Sequence, residues 1–241
     1  MRVPAGVFET EGLLLQRTAF GEADWIVTMF TRNLGKVSAF APSARKSRHR
    51  YAGGIEAFHD LSVQLRSTDG GEHLQLVGGR IVHPRTALVA DWVTMRTAAR
   101  ALAWIRRSFP PRLVEPQAWT MVQQWLNSLE LAPVQVGTIA EARLAEFGLQ
   151  LLAVLGWSLE LNQCVRCNKL CPPHASAHID PTRGGVVCRA CGGAGTILSA
   201  NARSRLMAAS QIGACLLSAD EGSVALSVVE RALESHVGID G

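Results

Sequence analysis

Cys164 and Cys167 form one Cys-x-x-Cys pair, Cys188 and Cys191 form a second, and twenty residues separate them. A tight turn carrying two thiolates presents both sulfurs to one side. Two such turns complete a tetrahedral four-sulfur shell for zinc or a metal of similar preference. Gly184-Gly185 precede the second pair and Gly192-Gly193 follow it, so the backbone there can bend around sulfur. Four cysteines close the shell: no position stays open for substrate and no histidine or carboxylate is a ligand. The expected role of the single ion is therefore structural. The His-x-Glu signature of zinc deaminases is missing, because no histidine has a glutamate two residues later. Cys171, His174 and His178 lie inside the insert and rank as reserve ligands. Cys215, in an apolar stretch, reads as a small core residue.

A second chemistry is electrostatic. Between Trp25 and Ile55 there is no acidic residue, while the same window holds Arg32, Lys36, Arg45, Lys46, Arg48, His49 and Arg50. Like charges held together repel, and a phosphate backbone neutralises them while releasing its counterions. Phe30, Phe40 and Tyr51 are close enough in sequence to offer stacking faces for bases. The bland alternative is a solvated basic loop. Lysine occurs only at 36, 46 and 169, so the positive charge is almost all arginine, which suits bidentate phosphate contacts.

The rest of the composition narrows the class. The chain has 241 residues, 48% of them hydrophobic and 18% charged, with a net charge of +4. That composition supports a real core and excludes an intrinsically disordered chain. No run approaches a transmembrane span, and the N-terminus carries acids with no apolar signal region. The six cysteines avoid the first 163 residues and crowd between 164 and 191, apart from Cys215. This spacing is that of a metal site in a cytosolic chain rather than a disulfide scaffold. The phosphate-binding, zinc-protease, dinucleotide and serine-hydrolase signatures GxxxxGK[ST], HExxH, GxGxxG and GxSxG are missing, which favours a binding protein over an enzyme.

These residues need elements to position them. Gly12–Gln16, Trp25–Thr31, Lys36–Ala41, Phe58–Arg66 and His73–Val77 read as strands, with turns at Asn33-Leu34-Gly35 and Thr68-Asp69-Gly70-Gly71. Five short strands in this space suit a five-stranded oligonucleotide-binding (OB) barrel, although alternation alone does not separate it from an SH3-like barrel. After Pro84 the period changes to helical: Leu88–Ile105, Glu115–Leu129, Ile139–Leu155, and roughly 199–217 and 223–236. The fold class is α+β and multi-domain. The expected segments are a barrel over 1–84, the first part of a helical domain over 85–160, a zinc module inserted over 161–196, and C-terminal helices over 197–241.

Several stretches carry a resemblance. Gly12-Leu13-Leu14-Leu15-Gln16-Arg17, Gly21-Glu22-Ala23-Asp24, Val27 to Thr31, Gly35-Lys36 and Ala44-Arg45-Lys46 resemble the opening of the RecO family of bacterial recombination mediators. Phe147 to Leu152, then Leu155-Gly156-Trp157 leading into Cys164-x-x-Cys167, is the most specific part. The family usually has glycine before the Ala-Arg pair, where Pro42-Ser43 stands here. The resemblance covers the whole length. It implies an OB barrel, a helical middle and a zinc module. It also implies a role in RecF-pathway repair: binding single- and double-stranded DNA, annealing complementary strands and, with RecR, helping RecA load onto strands coated by the single-stranded-DNA-binding protein. The bacterial cytoplasm, at the nucleoid, would be the place. The residues expected to meet DNA are Arg32, Lys36, Arg45, Lys46, Arg48 and Arg50; those expected to hold zinc are Cys164, Cys167, Cys188 and Cys191. A competing reading is a zinc-stabilised protein-interaction adaptor whose helical half carries the function.

Overall fold

The computed structural model describes residues 6–45, 51, 55–68, 73–134, 136–211 and 217–237. The chain divides into two compact units, Met1–Pro133 and Val134–Gly241.

The first unit opens with strands β1 (Val7–Phe20), β2 (Asp24–Thr31), β3 (Gly35–Ala41), β4 (Asp60–Thr68) and β5 (His73–His83), closed into a barrel in the order β1-β2-β3-β5-β4. β1 pairs with both β2 and β4, so one long strand serves two ladders. The apolar run at 12–16 therefore marks only the buried middle of a strand whose ends are mostly exposed. Inward side chains alternate as a barrel requires: Val27 and Met29, Val37 and Ala39, Leu61, Val63 and Leu65, Leu74 and Leu76 share one core. Register shifts between Leu14 and Gln16 and at two places between β4 and β5 bend the strands toward closure. The β2–β3 turn needs its glycine. Gly35 has φ +65, and a Cβ there would fall on the backbone carbonyl of Leu113. At the other end of β3, Ser43 adopts φ 55, the left-handed conformation that favours glycine, and its N–H donates to Asp24 Oδ1 at 2.7 Å.

Three helices belong to the same unit: α1 (Thr86–Ala90), α2 (Trp92–Ser108) and α3 (Pro116–Leu131). The single helix expected over 88–105 is broken at Asp91, whose extended backbone and carboxylate cap α2 by accepting from Thr94 N–H at 2.7 Å. Glu115 caps α3, with Pro116 at its first turn. Phe30, on the outer side of β2, lies against Phe109 and Trp119, with ring centroids at 5.3 and 6.0 Å. The joint is Arg85. Its side chain is fully buried and makes a two-pronged bond to Asp60, at 2.8 and 3.0 Å. It also donates to Phe58 O at 2.8 Å, Gln123 Oε1 at 2.7 Å and Asn127 Oδ1 at 2.9 Å. One guanidinium thus ties the start of β4 to α3, which explains why these helices are compact with the barrel rather than with the helical stretch that follows.

The second unit holds α4 (Gly137–Val154), strands β6 (Ala177–Asp180), β7 (Gly185–Val187) and β8 (Ile197–Leu198) in the sheet order β7-β6-β8, then α5 (Ala200–Ala209) and α6 (Ala219–Val237). α4 is buried around most of its circumference. Gly222 of α6 meets its backbone so closely that a Cβ would overlap Ala142. Buried Glu146 accepts from Leu217 N–H at 2.8 Å. Cys215 lies outside the described residues. No helix among those described is long and apolar enough to cross a membrane.

Removing the joint strands a carboxylate. Arg85→Met is expected to lower unfolding free energy by about 3–5 kcal/mol, the usual cost of breaking one side of a buried ion pair. An unfolding free energy, from urea titration, that falls by less than a third of this would show that Arg85 does not hold the unit together.

Candidate metal centre and nucleic-acid interface

The first cysteine pair sits on a turn stitched by Cys164 N–H to Lys169 O at 2.9 Å and Asn168 N–H to Cys164 O at 2.9 Å. Val165 N–H donates to Val186 O at 2.9 Å and so carries the turn to β7. The second pair leaves β7 through a short 3-10 turn, with Cys191 N–H and Gly193 N–H both donating to Cys188 O at 3.0 Å. Gly193 has no room for a side chain, because a Cβ would meet the Val187 carbonyl. Arg166 ties the two turns together by donating to Cys191 O at 2.8 Å.

The four Sγ atoms all lie within 4.8 Å of one another. A tetrahedron of sulfurs about 2.3 Å from zinc has edges of about 3.8 Å. The Cys167–Cys188 separation is 3.8 Å, far longer than a disulfide. The donor set fits a tetrahedral thiophilic ion. The electrostatics point the same way. Backbone N–H groups of Cys188 and then Arg166 hold the Cys164 thiol down, to about 6. Cys191, hydrogen-bonded to the Cys167 and Cys188 sulfurs, is pushed up to about 12. Four thiols this close share protons, so the first thiolate forms easily and the last is held back. Among the described residues this tetrad is the cluster able to hold a metal; Cys171, His174 and His178 are outside it. Cys171 instead accepts a hydrogen bond from buried Arg203.

The basic residues separate. Arg32, in the β2–β3 turn, is exposed and pairs with Glu11 at 3.2 Å. Lys36 points at the helices: its Nζ donates to Arg106 O at 2.6 Å, and burial, then the charge of Arg106, lowers the ammonium's pKa. Arg45 lies beyond the other end of β3, its N–H donating to Ala23 O at 2.9 Å and its guanidinium to Glu22 O at 3.2 Å. The ends of β3 are about 20 Å apart, so these groups do not form one cluster. Lys46, Arg48 and Arg50 are outside the described residues, as is His49. Tyr51, which follows them, is buried and donates to Leu76 O at 3.2 Å.

The aromatic expectations need correction. Phe30 and Tyr51 are core residues and offer no stacking face: α3 and the chain after α2 cover the first, and the barrel interior takes the second. Phe40 does lie on the outer side, half-buried, with Phe20 edge-on to it at 5.9 Å and 54% exposed. Arg17 stacks over Trp25 at 4.8 Å from the ring centroid. Phe20 and Arg17 were missed because they lie outside the acid-free window. Phe20 directly precedes the turn that Arg45 grips, and the β1–β2 ladder brings Arg17 over Trp25.

Together these features define an OB-type barrel joined to helices, followed by a unit with a four-cysteine cluster able to hold a metal ion. Family models for the N-terminal and C-terminal parts of recombination protein O match residues 2–85 and 89–240. The chain belongs to the RecO family. It is 28% identical to the DNA repair protein RecO of Anaeromyxobacter sp. (strain Fw109-5), over 94% of this chain and 90% of that protein. It is 29% identical to that of Geobacter sulfurreducens, over 94% and 91%. To that of Myxococcus xanthus it is 30% identical, over 77% and 72%.

Replacing Cys188 and Cys191 with serine together is expected to abolish tight metal binding and to lower the melting temperature, with elemental analysis and calorimetry as readouts. An unchanged metal content would place the ion elsewhere.

Proposed function

We propose that this chain is a non-catalytic DNA-repair mediator: it binds single- and double-stranded DNA and anneals complementary strands. With RecR it assists RecA in loading onto single strands coated by the single-stranded-DNA-binding protein, in the bacterial cytoplasm at the nucleoid. The observation that carries the reading is the outer face of the barrel beside Arg45. There Phe20 and Phe40 present aromatic surface next to an acid-free run that continues through Lys46, Arg48 and Arg50. Cations hold phosphates while exposed rings take bases, which is the combination that single-strand binding uses. Arg32 contributes at the edge once its exposed pair with Glu11 is exchanged for phosphate, since such surface pairs hold weakly. Lys36 is occupied by the helices and adds little. We assign the metal as one structural Zn2+ on Cys164, Cys167, Cys188 and Cys191, which orders a loop-rich segment.

Reversing Arg45, Lys46, Arg48 and Arg50 to glutamate together is expected to weaken oligonucleotide binding. The salt dependence should also flatten, by roughly 3 in the log–log slope for four single-strand phosphate contacts. Fluorescence anisotropy across a salt titration measures both. Affinity and slope equal to the wild type would remove this face from the DNA site.

A further inference from the structure

The segment from Trp92 to Val114 contains no acid, yet holds Arg96, Arg100, Arg106, Arg107 and Arg112. Four of these arginines are on α2. At 100° per residue they fall, with Trp92, on one arc of about 120°. The opposite side is the packed one, carrying Thr97, Ala98, Ala101, Leu102 and Ile105. Trp92 is 67% exposed, and Arg96 and Arg107 are exposed along with it.

Helix stability accounts for part of this stripe only. Arg106 and Arg107 are in the last turn, where cations complement the helix dipole. Arg96 lies in the second turn, away from the helix C-terminus, so the dipole does not account for it. Nor does the core need an indole at 92, where most of its surface meets water. Arginines in a row beside an exposed ring match phosphates and a base. α2 also reaches the barrel at the end remote from Arg45, because Arg106 O takes the Lys36 ammonium at the start of β3.

We propose that the exposed face of α2 is a second nucleic-acid surface, on which Arg96 and Arg107 hold the phosphates of a single strand and Trp92 stacks on one of its bases. It rests on the DNA-binding reading above and adds to it a second place for a strand. Arg96 and Arg107 are about 16 Å apart along the helix axis, room for a few nucleotides. One chain could then hold two strands at once, at separate ends of the hairpin formed by β2 and β3, and annealing needs two strands brought together.

The test uses the full chain, a labelled oligothymidylate and a pair of complementary oligonucleotides. Arg96→Glu with Arg107→Glu should lower the single-strand salt slope by roughly 1.4, for two contacts, and slow annealing. Arg96→Lys with Arg107→Lys should restore both. Trp92→Ala should weaken binding by roughly tenfold, within the usual stacking contribution. A folded reversal variant with wild-type slope and annealing rate, while the barrel variant loses binding, overturns the α2 surface and leaves the barrel reading intact. Loss of capture of an acidic protein with DNA binding unchanged also overturns it, and makes the face a protein-docking one. A wild-type chain that binds no oligonucleotide overturns both readings.

Discussion

A buried guanidinium governs the N-terminal unit. Arg85 has no water to turn to, so every one of its strong contacts must come from protein, and they come from both sides of the joint: Asp60 and Phe58 O on the barrel side, Gln123 and Asn127 on α3. A desolvated charge is costly when any partner is displaced. That cost makes the geometry specific rather than merely adhesive. It fixes α3 on the barrel, the helix whose Trp119 meets Phe30 of β2.

The C-terminal unit answers the same problem differently. Its helices α4 and α6 bury ample apolar surface and can close on each other, as the contact at Gly222 shows. The segment between Trp157 and Ser199 has three short strands and few large apolar residues, too little to order itself. Four sulfurs brought within 4.8 Å supplement the small apolar cluster of Leu161, Ile179, Val186, Val187 and Leu198 there. Polar groups thus mark each unit: a buried ion pair in the first and a cluster of four sulfurs able to hold a metal in the second.

Much of this was readable from residue pattern. Short apolar, β-branched and alternating runs located all five barrel strands, and the cysteine spacing located the four-sulfur cluster, because these signals are local. What escaped was information held between distant positions. Phe30 and Phe40 both face outward from neighbouring strands, yet one is covered and the other is not, depending on helices some eighty residues later. Arg85 follows a proline with no periodic signal to mark it as buried. Lys36 and Arg32 look like members of one basic stretch, but the hairpin carries them away from Arg45. The arginines of α2 were hidden inside an apolar pattern that was read for its core side alone.

The barrel is held unevenly. Four of its five junctions are antiparallel ladders, whereas β3 meets β5 in parallel and, among the described residues, through the single pairing of Phe40 with Gln75. Among the described residues this junction has the shortest ladder of the five. Phe40 stands on that junction, while its neighbour Phe20 ends the longest strand. A molecule resting across the two rings would bridge the longest strand and the shortest ladder, adding contacts where the wall has fewest of its own.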